Sequence, residues 1–154
     1  FGQNNVTNYA TSVSTPQTLQ LDFYEPAGDV ATQRPLVILA FGGGFIQGSR
    51  ADMRPIAIAL AKKGYTVASI DYRLIVNDFF NLLTVGGSQQ LMIDQIIKAA
   101  ADMKAAIRFF KADAATTNTY RIDPTKIFVG GASAGAIAAL QVAYTDDIAE
   151  NPAA

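Results

Sequence analysis

Apolar positions along the chain recur with two periods. Leu19, Leu21 and Phe23 alternate with polar residues across Thr18 to Tyr24, the two-residue period of a half-buried strand. Val6 to Val13 alternates more weakly and predicts another strand, while Pro26, Ala27, Gly28 and Asp29 mark a turn. Leu36 to Phe41 is an unbroken apolar run between Pro35 and a triple glycine, as expected of a strand covered on both faces. Thr66 to Tyr72 and Lys126 to Gly130 also predict strands, and Ile127-Phe128-Val129 reads as buried on both sides.

Helical spacing separates these runs. Met53 to Lys63 places Ile56, Ala57, Leu60 and Ala61 on one face, with Pro55 in the first turn and Gly64 just past the end. A longer helix is predicted from Gln89 to Ala112, its inward stripe Ile93, Ile96 or Ile97, Ala100, Met103, Ile107 and Phe110. Thr116 to Pro124 is a polar turn, and Ala136 to Tyr144 is a helix of small residues. Ile75 to Gly87 reads as a loop, although an unusually apolar one. Strands alternating with helices predict an α/β fold, a mostly parallel sheet flanked by helices. Without an internal repeat or a dividing linker, residues 1–154 read as one domain.

Composition narrows the chemistry. Half of the 154 residues are apolar, enough for a sizeable core, which excludes a disordered charged tail. Twelve basic against thirteen acidic residues provide no electrostatic footprint for nucleic acid or an anionic membrane surface. Ile127 to Thr145 runs 19 residues without a charge, but its interior Gly-Gly-Ala-Ser-Ala-Gly-Ala reads as strand, turn and helix, not as a membrane span. The opening Phe-Gly-Gln-Asn-Asn has neither an initiator Met nor the features of a signal peptide, and suggests a processed or trimmed chain. Lack of cysteine excludes disulfides, thiolate metal sites and thiol nucleophiles. Together with the Asn/Thr-rich start, it is compatible with a secreted or periplasmic bacterial protein. No metal or other cofactor is expected. Histidine is also absent, which removes the commonest general base.

Two motifs stand out against this background. Gly131-Ala132-Ser133-Ala134-Gly135 fits G-x-S-x-G, entered by a β-rich run and left by a helix-forming one. Small neighbours are what a serine at the tip of a strained turn requires, because strand and helix must approach closely. The alternative is a tight glycine turn with an incidental serine. Phe41-Gly42-Gly43-Gly44-Phe45 follows a buried strand, and its glycines let several backbone N–H groups point at one anion. A flexible turn is the plain alternative. A phosphate loop is disfavoured, since no Gly-Lys-Ser/Thr follows and the spacing is not the dinucleotide fingerprint.

These residues, with Leu21-Asp22-Phe23-Tyr24-Glu25-Pro26, Asp71-Tyr72-Arg73-Leu74 and Asp102-Met103-Lys104-Ala105-Ala106-Ile107-Arg108, resemble the N-terminal half of an α/β-hydrolase of the hormone-sensitive-lipase and bacterial carboxylesterase group. The resemblance runs from residue 17 to 144 and implies an α/β-hydrolase fold that stops after the helix following the nucleophile. It implies a carboxylic-ester hydrolase acting on a small-molecule ester, with Ser133 as nucleophile and the N–H groups of Gly43, Gly44 and Ala134 as the oxyanion hole. Phe45 beside the glycines, and Phe79 and Phe80 in the apolar loop, are the expected substrate contacts, with core packing as the alternative for the loop. Asp71 is assigned to scaffolding, as a buried charge holding its loop.

The chain departs from the family pattern twice. Phe41 stands where the glycine motif usually begins with His. The acid and base that follow the serine in this fold are not found, since only Asp146, Asp147 and Glu150 come after Ser133 as acids, and no His does. Losing the base costs such a site on the order of a millionfold in turnover. The acid and base are therefore expected on another segment or chain. The other readings are a non-catalytic relative that binds a small ester or acid, or a site using a different base. Lys126 to Gly130, lacking internal charge or proline, would form an unprotected sheet edge. That edge predicts pairing with a second copy or with a complementary C-terminal polypeptide, or else aggregation.

Overall fold

The computed structural model describes residues 1–8, 12–75 and 88–145. In chain order the elements are strands β1 (Gly2–Asn8), β2 (Val13–Leu19), β3 (Leu21–Tyr24) and β4 (Arg34–Ala40). A 3₁₀ turn (Arg50–Met53), helix α1 (Arg54–Ala61) and strand β5 (Thr66–Ile70) follow. Helix α2 (Ser88–Ala114), strand β6 (Ile122–Gly131) and helix α3 (Ala134–Tyr144) complete the described fold. Strands β1 and β2 form an antiparallel hairpin, and the other four form a mixed sheet in the order β3-β5-β4-β6. Within it β5, β4 and β6 run parallel, while β3 is antiparallel at one edge. The parallel strands end together, Ala40 pairing with Ile70 on one side and Gly131 on the other. That end of the sheet carries both glycine-rich motifs.

The all-apolar runs behave as their composition demands. Every residue of β5 is buried, and β4 is buried at five of seven positions, as central parallel strands with helices packed on them should be. Pro55 sits in the first turn of α1, and Gly64 takes φ +96° just beyond it.

Several expected boundaries move. The Val6–Val13 run belongs to two strands, since β1 ends at Asn8 and β2 begins at Val13. Thr18 to Tyr24 is likewise divided at Gln20, with β2 in the hairpin and β3 in the main sheet. The cause is local: Gln20 exchanges hydrogen bonds with Asp71, its carbonyl accepting from the Asp71 N–H at 2.9 Å and its N–H reaching the carboxylate at 3.4 Å. The expected inward stripe of α2 is buried at Ala100, Met103 and Phe110 and departs at its first member, Ile93. Ile93 is 42% exposed, whereas Ala99, Asp102, Met103, Ala106 and Phe110 are buried. Asp102, on the same helix, is also buried, its carboxylate fully enclosed and bound by Arg73 and Asn4.

Strand β6 is also not buried on both faces, for Phe128 is 53% exposed. Among the described residues it pairs only with β4 and so forms a sheet edge. It begins earlier than expected, includes Pro124, and shifts register between Arg34↔Ile122 and Leu36↔Ile127. Pro124 cannot donate to a ladder, and a β-irregularity accommodates it. Among the described residues no helix is long and apolar enough to cross a membrane.

Candidate active site

Ser133 occupies the single turn between β6 and α3, with φ 47° and ψ −115°. A non-glycine residue in that region costs of order 1–3 kcal/mol and persists only where its surroundings over-determine it. Here they do. The Ala132 N–H donates to Ala40 O at 3.1 Å, Gly135 N–H to Ala132 O at 2.9 Å, and Ile137 N–H to Ser133 O at 3.0 Å. The flanking glycines are required by contact. A Cβ on Gly135 would lie 2.2 Å from Ala40 O, and one on Gly131 would lie 2.5 Å from the same oxygen. Ser133 itself is exposed, and its hydroxyl caps no helix N–H although it stands at the N-cap of α3. The hydroxyl therefore lies at the positive end of an eleven-residue helix, where developing negative charge is stabilised.

The glycine loop packs directly on this turn. A Cβ on Gly42 would come within 3.3 Å of Ser133 Cβ and 3.2 Å of Ala132 O. Gly43 takes φ +113° because its carbonyl accepts from both Ile46 N–H (3.1 Å) and Gln47 N–H (3.2 Å), a tight turn that leaves no room for a side chain. Among the described residues, the N–H groups of Gly43, Gly44 and Ala134 have no backbone acceptor. The two motifs are thus brought together, with exposed Ser133 and Gly44 beside partly buried Gly43.

Not every expected residue joins them. Phe45 is 1% exposed and packs edge-on against Tyr72, 6.0 Å between ring centroids, so the structure places it in the core and not on an open wall. Its apolar character suits either place, and its backbone has φ +64°. Phe79 and Phe80 lie outside the described residues, as do Asp146, Asp147 and Glu150. Asp71 is 18% exposed and has a scaffolding role: Arg50 bridges it to Asp22 with 2.8 Å contacts to each. That bridge holds Arg50 as a cation, its pKa raised chiefly by the hydrogen bond to Asp22.

The residues that sequence reasoning missed are Tyr72 and Asp102. Tyr72 donates its hydroxyl to Phe41 O at 2.8 Å, and burial pushes its pKa well above the ordinary phenol value, so it stays a donor. Phe41, an aromatic residue opening the glycine motif, was the available signal. Among the described residues no cluster of His, Cys, Asp or Glu could hold a metal ion. An open groove of about 700 Å³, lined by Phe23, Tyr24, Ile58 and Lys62 among others, lies at the opposite end of the sheet, remote from Ser133.

A mixed sheet flanked by helices, with a serine turn after one parallel strand and a glycine loop after its neighbour, defines the class: an α/β-hydrolase fold. Comparisons with known proteins agree. Residues 21–84 match the BD-FAE family model. Structural neighbours include esterase 2 of Thermogutta terrifontis in three forms. The propionate-bound form is 29% identical at TM-score 0.56, over 87% of this chain and 42% of that one. The form phosphonylated by sarin is 28% identical at 0.59 (88% and 46%), and that phosphonylated by cyclosarin is 26% identical at 0.61 (99% and 53%). The chain is also 32% identical over 137 residues to the non-reducing polyketide synthase atr1 of Stereocaulon alpinum, covering 85% of this chain and 5% of that protein. The chain has the α/β-hydrolase fold and is similar to these esterases, spanning about half of their length or less.

Proposed function

We propose that this chain provides the nucleophile and oxyanion hole of a carboxylic-ester hydrolase, with Ser133 attacking the ester carbonyl. The observation that carries this reading is the left-handed backbone of Ser133 at an exposed strand-to-helix turn, packed against the glycine loop. In the reaction Ser133 Oγ bonds to the carbonyl carbon and the carbonyl oxygen becomes an oxyanion. The N–H groups of Gly43, Gly44 and Ala134 receive that charge; one such donor is worth roughly 10²–10³ in turnover. The hydroxyl proton must pass to a base, and the chain contains no histidine. The base and its acid partner are therefore assigned to residues outside these 154, on a further segment or on a complementary polypeptide meeting the β6 edge, because a second identical copy would bring no histidine either. That the esterase of T. terrifontis is phosphonylated by sarin supports a serine reactive toward organophosphorus groups.

The missing histidine also favours a second reading, a non-catalytic pocket that binds a small ester or acid. Intact-mass analysis with a fluorophosphonate probe, in a series of imidazole concentrations, separates the two. Oγ–P bond formation expels fluoride, and imidazole takes the proton. A single adduct on Ser133 that forms faster with imidazole and is lost in Ser133→Ala supports the hydrolase. No adduct on a folded chain under any condition overturns the nucleophile and leaves the binding reading.

A further inference from the structure

We propose that Tyr72 is a positioning residue, fixing the oxyanion donors against Ser133. The proposal rests on the hydrolase reading above, and its geometry is independent of it. The Tyr72 ring stacks on Phe41 at 4.4 Å and 21°, while its hydroxyl donates to Phe41 O. That carbonyl also touches the serine turn, since a Cβ on Gly135 would lie 2.5 Å from it. One atom thus connects Tyr72, the start of the glycine loop and the first turn of α3. Three residues on, Ile75 N–H donates to Phe45 O at 2.8 Å, so the segment 72–75 grips both ends of Phe41–Phe45.

The segment is itself anchored. Arg73 meets the enclosed Asp102 carboxylate through Nε and Nη2 at 2.9 Å, and its backbone N–H adds a third contact at 2.9 Å. The buried Gln95 amide donates to the Arg73 carbonyl. A loop of three glycines has little stiffness of its own. Holding both ends from a helix-anchored segment is what keeps Gly43 and Gly44 in register with Ser133, and small displacements of such donors are costly.

Tyr72→Phe tests this, because it keeps the stacked ring and removes only the hydroxyl. The control is Thr66→Val, which removes another enclosed hydroxyl, bonded to Pro35 O at 3.1 Å, at the far end of the sheet. Both variants should lower the melting temperature. Only Tyr72→Phe should slow fluorophosphonate labelling of Ser133 in imidazole, by roughly ten- to a hundredfold, and shift the ¹⁵N–¹H resonances of Gly43 and Gly44. Equal labelling rates in the two variants, or unmoved Gly43 and Gly44 resonances in Tyr72→Phe, overturn the proposal. If the wild-type chain takes no label, the hydrolase reading fails and the resonances alone decide the positioning role. Should Tyr72→Phe not fold, the wild-type Tyr72 hydroxyl proton decides: slow exchange supports the bond, and exchange at the rate of a free phenol overturns it.

Discussion

Gly42 and Ser133 come from different motifs, yet a single methyl group on Gly42 would stand 3.3 Å from Ser133 Cβ. The glycine loop is therefore in contact with the serine turn along its backbone. Gly42→Ala should push the two apart by a few tenths of an ångström, because Ala132 O, 3.2 Å away, cannot yield freely. The expected result is a stability loss of about 1 kcal/mol, at the low end for overpacking, with a larger proportional loss of fluorophosphonate labelling. Urea unfolding and labelling rates measured side by side check it; unchanged labelling would show that the loop does not position the donors.

Gly135 and Gly131 face harder contacts. A Cβ on Gly135 would overlap Ala40 O at 2.2 Å and Phe41 O at 2.5 Å, both backbone atoms of the central strand and its loop. Gly135→Ala should cost about 3 kcal/mol or more, well beyond the roughly 1 kcal/mol of helix propensity it gains. Gly130→Ala is the contrast, since its Cβ would meet only Leu39 Cδ2 at 3.5 Å. That variant should change stability by less than about 1 kcal/mol. Equal denaturation midpoints for the two would contradict the close strand–helix approach.

The serine turn is readable in the sequence because its constraint is local: two glycines spaced four apart are what a strand and helix in backbone contact need. The glycine loop is readable for the same reason. Tertiary choices are not. The alternation Leu19, Leu21, Phe23 passes through Gln20 unbroken, and only the pairing of Gln20 with Asp71 divides it between two sheets. Asp102 looks like a solvent-facing helix residue until Arg73 and Asn4 are seen around it, and it widens the buried face of α2 beyond the apolar stripe. Phe45 is apolar in either role, and its place in the core depends on Tyr72, 27 residues further along the chain.

The Arg73–Asp102 pair should be worth more to the fold than any exposed ion pair. Asp102 is fully buried and Arg73 is 14% exposed at the side chain, so removing the carboxylate strands a cation in a poorly hydrated place. Asp102→Ala should lose about 3–5 kcal/mol. Glu25→Gln, breaking the exposed 2.6 Å pair with Arg121, should lose less than about 1 kcal/mol. Chemical denaturation of both variants gives the ratio, and similar losses would refute the weight given to the enclosed pair.

Acid should destabilise the chain in a defined window. Asp29 is held below the ordinary 3.8 by the Ala31 N–H and by Arg34. Asp123 is held down to about 2 by the Thr125 hydroxyl and Lys126. Burial raises Asp113, but hydrogen bonds from Tyr120, Thr117 and Thr119 outweigh it and bring it below 3.8. In the unfolded chain these carboxyls protonate first, so it binds more protons between 3.8 and the depressed folded values. The stabilisation is complete above that window and falls as pH drops through it. Melting temperatures measured from about pH 6 to about pH 2 should decline mainly below the ordinary carboxylate value, and Asp123→Asn should flatten part of the decline. A flat profile through this range would contradict the assigned interactions.

The β6 edge should make the isolated chain associate. Among the described residues strand β6 pairs with β4 alone, which leaves one row of its N–H and C=O groups open to another strand. Phe128 on that strand is 53% exposed, and on the following helix Ile137, Leu140 and Tyr144 are 45%, 56% and 81% exposed. Neither charge nor proline interrupts Ile127 to Gly131, so the residues that usually block edge-to-edge pairing are missing where the ladder is regular. Pro124 and the register shift protect only the entry to the strand. Light scattering at tens of micromolar, roughly the range where such edges associate, should give a mass above the 16.4 kDa of one chain. Phe128→Lys should bring it back toward that value by placing a desolvation cost at the centre of the edge. A complementary C-terminal polypeptide carrying the absent histidine should compete for the same edge, so adding it would dissolve the self-association and raise Ser133 labelling together. A monodisperse wild-type monomer would show that β6 is satisfied within the chain and would remove the reason to seek a partner there.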